Sequence, residues 1–305
     1  MTTLNIPSIK KNKPLAPFTT YKIGGPADLF VEVHSIKELI HALKEAQHNH
    51  IPYFLLGCGA NILVTDKGFR GLVIRNLANK VTFLDNHKVF AESGAIINDI
   101  VNLCRDRELS GFEHFAGIPS TIGGAMWQNL HFLSPDRQRT MFIEKITQVS
   151  HIFTEEGEIQ TVGVDYFDFG YDSSILQVQK DIVLDVTFQL EQKPKEEIQA
   201  VVESNLAWRS AKQPPLEEYP SCGSVFKKIK MHDGDIGAGR LIDQAGLKGK
   251  RVGGAEVSRK HANFIINMGN AKAADVLQLI ELVREEVQEK LGYTLEPEIT
   301  VVGEQ

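Results

Sequence analysis

Apolar residues along this chain recur with two periods. Ile36, Leu39, Ile40, Leu43 and Ala46 follow the three-and-four spacing of one helical face. Ser35-Ile36-Lys37-Glu38 in front of them has the order of a capping box, in which the Ser35 hydroxyl accepts from the Glu38 N–H while the Glu38 carboxylate reaches back. Ile97, Ile100, Val101 and Cys104 predict a second amphipathic helix. Val276, Leu279, Val283 and Val287 predict a long one over about 273–291, with Gly292 as its stop. Short apolar runs at Leu29 to Val33, Tyr53 to Leu56, Ile62 to Val64 and Ile299 to Val302 read as strands. From Ile143 to Leu190 the pattern is strand-rich, and Ile182 to Leu190 is its clearest strand. Residues 191–212 read as a charged connection followed by a helix. No internal repeat or biased linker interrupts the series, so the pattern predicts an α+β chain of more than one lobe.

Composition narrows the function. A chain of 305 residues can bury two or three cores around a shared cleft. The formal charge of -6 leaves no basic field for nucleic-acid phosphates, and no apolar run is long enough to span a membrane. The first residues lack the basic and apolar blocks of a secretion signal. The three cysteines, Cys58, Cys104 and Cys222, have neither a CxxC spacing nor a His-rich neighbourhood, which fits neither a disulfide framework nor a metal site. A cytoplasmic protein with reduced thiols and no metal is expected.

Three glycine-rich segments could cradle an anion through backbone N–H groups, or could simply be tight turns. They are Tyr21-Lys22-Ile23-Gly24-Gly25-Pro26-Ala27, Gly57-Cys58-Gly59-Ala60-Asn61 and Gly117-Ile118-Pro119-Ser120-Thr121-Ile122-Gly123-Gly124-Ala125. A Rossmann fingerprint is excluded because Ile62 stands where the third glycine belongs, and no Walker lysine follows any of the three. In the second half, Ser221-Cys222-Gly223-Ser224-Val225-Phe226-Lys227-Lys228 sets a serine on a turn beside basic residues, without the GxSxG elbow of a hydrolase. Lys260-His261-Ala262-Asn263-Phe264 precedes an apolar strand, and Glu296-Pro297-Glu298 precedes the last one.

Taken in order, these segments, with Phe115-Ala116-Gly117-Ile118-Pro119 and the run from Gly239 to Gly249, resemble the UDP-N-acetylenolpyruvoylglucosamine reductases, the MurB family, over nearly the whole chain. The uninterrupted run from Gly239 to Asn263 is similar to the shorter form of the enzyme, which lacks a substrate-covering insertion. The resemblance implies a two-lobed FAD-binding unit of the vanillyl-alcohol-oxidase (PCMH) type plus a C-terminal α+β substrate domain. The lobes would span 1–80, joined by the C-terminal strand 296–305, and 81–195, with the substrate domain at 196–295. It implies non-covalent FAD, NADPH as reductant, a UDP-sugar substrate reduced in peptidoglycan precursor synthesis, and a monomer that binds neither nucleic acid nor membrane.

Carried over position by position, the resemblance implies FAD contacts from Gly57, Cys58, Gly59, Ala60, Asn61, Gly117, Ser120, Thr121, Gly123, Asn129 and Ile182. Ser224 matches the proton donor to the substrate carbon, and Glu298 the carboxyl that assists there. Tyr171, Lys227, Lys228, Arg240, His261 and Asn263 match substrate contacts.

Two places depart from the pattern. The family has Phe-Gly-Tyr-Arg where this chain has Phe169-Gly170-Tyr171-Asp172. Loss of such a donor costs on the order of 10²–10³ in rate, and a carboxylate about 4 Å from the substrate's would add roughly 4 kcal/mol of repulsion, so Asp172 is expected to turn away or take a proton. The family continues Asn-Ala-Gly-Ala where this chain has Asn129-Leu130-His131-Phe132, which is expected to reshape the isoalloxazine pocket. Arg137 and Arg139, in the altered stretch, are candidates for the missing cation. These departures support an alternative, a diverged FAD-binding paralogue with a lost or altered substrate.

Overall fold

The computed structural model describes residues 4–133, 140–231 and 234–304, and the chain divides into two compact units. Unit 1 comprises Met1–Ser8, Val31–Cys58 and Ile74–Arg209; unit 2 comprises Ile9–Phe30, Gly59–Val73 and Ser210–Gln305. Strands Pro26–Val33 and Phe69–Asn76 each belong partly to both.

Unit 1 is built on a five-stranded antiparallel sheet in the order Ile159–Gly163, Thr147–Phe153, Ile182–Gln189, Lys88–Glu92, Val81–Leu84. Ile182–Gln189 takes the middle place because nearly all its side chains are buried, on both faces of the sheet. Helices α1 (Ile36–His48), α2 (Ile97–Arg105), α3 (Ile122–Trp127) and α4 (Lys195–Lys212) belong to this part of the chain. At the start of α1 the Ser35 Oγ accepts from the Glu38 N–H at 3.2 Å, as expected. The Glu38 carboxylate reaches one residue further than a capping box requires, taking the His34 N–H at 2.7 Å. All four residues of the predicted stripe on α2 are buried. Phe112 meets Phe188 edge-on at 4.9 Å in the core, and α4 is tied to it by Asn205, whose amide donates to the carbonyls of Glu113 and His114.

Unit 2 holds the antiparallel strands Arg251–Val252, Ala255–Val257 and Ile265–Asn267, and the parallel pair Ile62–Val64 with Thr300–Val302. The closing strand is thus paired far back in the chain. Helices α5 (Ala238–Gln244) and α6 (Ala273–Leu291) pack over a core of Val225, Leu241, Ile242, Val257, Leu279 and Val283. Gly292 ends α6 with φ +76°, the left-handed conformation that glycine adopts without penalty.

The first turn of α6 is capped from a distance. Asp66 accepts from the N–H groups of Ala273 at 2.9 Å and Ala274 at 3.0 Å, which a helix cannot satisfy internally. Asp275 accepts from the N–H groups of Lys272 and Gly254, and these bonds hold its carboxyl below the usual carboxylate range. A depressed carboxyl stabilises above its ordinary pKa of about 4 and loses that contribution as the pH falls. Asp66→Ala should cost about 1–2 kcal/mol, read as a lower urea midpoint; an unchanged midpoint would show that water replaces the cap at no cost.

Candidate functional site

The three glycine-rich segments separate into two kinds. Tyr21 of the first is fully buried; its hydroxyl donates to the Ile265 carbonyl at 2.8 Å, and Asn267 donates to the Tyr21 carbonyl at 3.0 Å. Gly25 lies so close to the Asp66–Gly68 turn that a Cβ would stand 2.1 Å from the Asp66 carbonyl oxygen. Close packing in unit 2 accounts for this segment, and the tight-turn reading holds for it.

The other two have the character of anion sites. Within unit 1, a Cβ on Gly57 would stand 2.7 Å from Thr121 Oγ1, so the end of the Tyr53–Leu56 strand lies against the turn that opens α3. Thr121 caps that helix through the Gly124 N–H at 3.2 Å. Asn98 on α2 clasps the same turn, accepting from the Gly117 N–H at 2.7 Å and donating to the Ile118 carbonyl at 3.0 Å. Gly123 donates to the Ser93 carbonyl at 2.7 Å, which seats the start of α3 beside the sheet, where Ile182 begins the central strand. In unit 2, Gly59 has φ +62° and would press a Cβ to within 2.5 Å of the Phe18 carbonyl oxygen, while Asn61 accepts from Thr300 at the parallel strand pair. Among the described residues, the N–H groups of Cys58, Gly59, Ala60, Ser120 and Thr121 donate to no acceptor. Free N–H groups of this kind, at Cys58, Ser120 and Thr121 in unit 1 and at Gly59 and Ala60 in unit 2, suit phosphate oxygens. The Cys58 thiol is pushed up to about 11 by burial, so it acts as a packed side chain and not as a nucleophile.

Arg209 was not singled out by sequence. It lies near the end of α4, with Nε and Cδ 3.1 Å from where a Gly117 Cβ would be. It makes no hydrogen bond or ion pair among the described residues, and burial pulls its guanidinium down to about 10. Arg209 is half-buried, and a cation partly withdrawn from water is favoured by a nearby anion, so this position suits one. The available signal was register: Val202, Asn205 and Arg209 share one face of α4, and the first two are buried.

The departures from the family pattern also lie in unit 1. Asn129, 1% exposed and with φ +48°, donates to Glu144 at 2.8 Å and to the Gly170 carbonyl at 3.0 Å. Phe132 is buried edge-on to Trp208 at 5.7 Å, and Leu130 packs on the same core. The side chains of Leu130 and Phe132 thus add to the hydrophobic core. Asp172 follows the half-exposed Tyr171 and pairs with His131. Arg137 and Arg139 lie outside the described residues.

In unit 2 the backbone brings Ser224 and Glu298 into neighbouring segments. Phe226 pairs antiparallel with Pro297, Glu298 N–H donates to the Val225 carbonyl at 2.8 Å, and Lys227 N–H donates to the Glu296 carbonyl at 2.9 Å. Asn263 locks this ladder from the other side. Its carbonyl accepts from Val225, its Oδ1 accepts from the Phe226 N–H at 3.0 Å, and its Nδ2 donates to the Phe226 carbonyl at 2.9 Å. Those bonds give Asn263 a structural part in the ladder, beside the substrate contact that the sequence reading expects of it. Cys222, fully buried behind the serine turn, has its thiol driven far up by burial and by the Glu298 carboxylate.

His261 Nδ1 accepts from the Asn263 N–H at 3.2 Å, which leaves the proton on Nε2. Burial, followed by the charge of Lys248, moves the imidazole down from its ordinary value, so it is a neutral donor at physiological pH. Gly239 allows this approach, since a Cβ there would lie 3.2 Å from His261 Cε1. Lys227 pairs with Glu296 at 2.6 Å and Lys228 with Asp235 at 2.5 Å, while Arg240 is exposed on α5. No group of His, Cys, Asp and Glu able to hold a metal occurs among the described residues.

Comparison with known proteins agrees with this arrangement. Residues 27–163 match the FAD binding domain model, and residues 213–302 match the C-terminal domain of UDP-N-acetylenolpyruvoylglucosamine reductase. The reductase of Caldanaerobacter subterraneus subsp. tengcongensis is 40% identical over 293 residues, covering 96% of this chain and 93% of the relative. Reductase 2 of Bacillus cereus is 36% identical over 296 residues, covering 97% and 93%. The crystal structure of the Thermus caldophilus reductase superposes with a TM-score of 0.77 at 32% identity, covering 97% of this chain and 98% of that one. An α+β FAD-binding unit followed by the C-terminal domain of this enzyme, with identity of this extent along the whole length, means that the chain belongs to the UDP-N-acetylenolpyruvoylglucosamine reductase family, whose members are oxidoreductases.

Proposed function

We propose that this protein reduces UDP-N-acetylenolpyruvoylglucosamine to UDP-N-acetylmuramate for peptidoglycan precursor synthesis, in the cytoplasm and as a monomer, with FAD bound and NADPH as reductant. The observation that carries this reading is the Ser224–Glu298 ladder locked by Asn263.

The residues present suit FAD. In unit 1 the free N–H groups of Cys58, Ser120 and Thr121, with the Arg209 guanidinium, offer donors and charge to a diphosphate-bearing cofactor, and in unit 2 the Gly59 and Ala60 N–H groups are of the same kind. Gly57, Asn61, Gly117, Gly123, Asn129 and Ile182 shape the segments that carry them. Bound FAD supplies the hydride chemistry, accepting from NADPH and giving to the enolpyruvyl double bond. Ser224 donates its Oγ proton to the substrate carbon left electron-rich, so one hydride and one proton saturate the bond. A serine is a weak acid in water, yet an adjacent enolate is a strong enough base to take its proton. Glu298 assists at the same carbon from the neighbouring segment. Tyr171, Lys227, Lys228, Arg240 and His261 bind and orient the sugar nucleotide, His261 as a neutral Nε2–H donor and the cations toward its phosphates. A three-lobe division at about 80 and 195 belongs to the same reading.

Arg209→Met should weaken FAD binding by about 10–100-fold, the worth of one charge-assisted hydrogen bond of 1.5–3 kcal/mol, measured by flavin fluorescence on dilution; unchanged retention would remove Arg209 from the cofactor's surroundings. The reading as a whole is tested by incubating the protein with NADPH and UDP-N-acetylenolpyruvoylglucosamine and weighing the sugar nucleotide. A gain of two hydrogens is expected, and NADPH consumption that ignores the substrate would contradict it. A second reading, a paralogue acting on another substrate, is favoured only by Asp172 in place of the family's arginine. It requires flavin reduction with no product from this substrate.

A further inference from the structure

Tyr21, at the head of the first glycine-rich segment, touches the turn that carries Ser224, and both belong to unit 2. The turn, residues 221–224, is fastened at its two ends through backbone. Asn267 N–H donates to the Pro220 carbonyl at 2.8 Å, and Val225 N–H donates to the Asn263 carbonyl at 2.8 Å. Between those anchors, no backbone group of residues 221–224 bonds to another backbone group among the described residues. Gly223 stands at φ +88° with open space where a Cβ would be, so neither neighbours nor side chain fix the backbone there. The middle of the turn is held by the Cys222 side chain, which is buried in the same core cluster as Tyr21 and hydrogen-bonded to its hydroxyl.

The direction of that bond follows from the protons available. Tyr21 Oη carries one, which goes to the Ile265 carbonyl at 2.8 Å, so the thiol donates to Tyr21 Oη. Burial pushes both the hydroxyl and the thiol up, and each keeps its proton. Tyr21 is itself fixed. Its side chain is buried, and Asn267 Nδ2 donates to its carbonyl at 3.0 Å. Ile265 and Asn267, the two ends of one strand, thus grip Tyr21 by its hydroxyl and by its backbone, and the Asn267 N–H also holds the start of the serine turn. We propose that Tyr21 is a positioning residue for Ser224, fixing the serine turn through the Cys222 thiol so that the Ser224 hydroxyl meets the substrate carbon. The proposal rests on the reductase reading and gives the first glycine-rich segment a part in the reaction without contact to any ligand. A displacement of about 1 Å in a reacting group costs on the order of 10²-fold in rate, which sets the scale of the effect.

Two measurements test it. The first needs no turnover: wild type and Tyr21→Phe are treated with iodoacetamide, and alkylation of Cys222 is followed by peptide mass. The ring of the variant still fills the core, but the thiol and the Ile265 carbonyl lose their partner. Cys222 should then be alkylated at least about ten-fold faster, through local opening of the turn. Cys104, buried in unit 1, should keep its wild-type rate. A Cys222 rate that does not change, or that rises only in step with that of Cys104, overturns the anchor. The second measurement follows reoxidation of the NADPH-reduced flavin by UDP-N-acetylenolpyruvoylglucosamine. Tyr21→Phe and Cys222→Ala should each slow reoxidation at least about ten-fold while the half-saturating substrate concentration stays within about two-fold. Reduction by NADPH should keep its rate. Cys222→Ser, whose hydroxyl donates to Tyr21 in the thiol's place, should recover most of the loss. In a Ser224→Ala background, Tyr21→Phe should slow reoxidation no further, because it acts through the serine. Further slowing in that background overturns the positioning role, as does a lower melting temperature with reoxidation unchanged. If the wild type protects Cys222 as expected but its flavin is not reoxidised by this substrate, the reductase reading fails, and the positioning role falls with it.

Discussion

Replacing Ser224 by alanine should leave reduction of the flavin by NADPH intact and slow its substrate-driven reoxidation by about 10²–10⁴-fold, the usual worth of a positioned proton donor. The serine is held on a rigid ladder. Val225 beside it is hydrogen-bonded both to Glu298 and to Asn263, and Phe226 is clamped by the Asn263 side chain. Removing one hydroxyl from a partly buried turn should not disturb those bonds, so the folded state should persist with an unchanged melting temperature. The defect should therefore reside in one half-reaction, which stopped-flow absorbance separates from the other. A variant that reoxidises at the wild-type rate would remove Ser224 from the chemistry. Equal slowing of both half-reactions would point to a structural defect instead.

Gly59→Ala should yield protein that purifies with little flavin. The residue sits at φ +62°, which costs a non-glycine residue about 1–3 kcal/mol. The added Cβ would also stand 2.5 Å from the Phe18 carbonyl oxygen and 2.9 Å from the Thr19 Cα. Both are backbone atoms, and Phe18 N–H is itself bonded to the Leu15 carbonyl, so the loop must give way. Displacing the Cys58, Gly59 and Ala60 N–H groups removes donors here proposed for phosphate, and an affinity loss on the order of 100-fold corresponds to the strain alone. The ratio of flavin to protein absorbance reads this directly. Stoichiometric flavin in the variant would show that the loop does not hold the cofactor.

The local elements were readable because their signals are local. The stripe on α2, the Ser35 cap and the Gly292 stop each depend on residues within a few positions of one another, where periodicity and capping chemistry operate. The role proposed for Ser224 is not a local signal and rests on the ordered resemblance of the whole chain, since nothing in a serine on a turn announces a proton donor. Features made by distant contacts escaped altogether. Arg209 reads as one more charge on a charged helix until its placement against Gly117 is seen. His131 and Asp172 are far apart in sequence and come within 3.6 Å of one another only when the chain folds. Asn263 matched a substrate contact, and its hold on the Phe226 backbone could not be read from the sequence. The first glycine segment had the composition of an anion loop and proved to be packing, because what distinguishes the two is where the Asp66–Gly68 turn lies.

The most direct test is an anaerobic flavin spectrum of the purified protein, reduced with NADPH and then mixed with UDP-N-acetylenolpyruvoylglucosamine. Bleaching followed by full recovery of the oxidised spectrum is the expected result, with Asp172 a tolerated substitution. Bleaching that persists after the substrate is added would contradict the reductase assignment and leave a flavoprotein whose substrate is a different one.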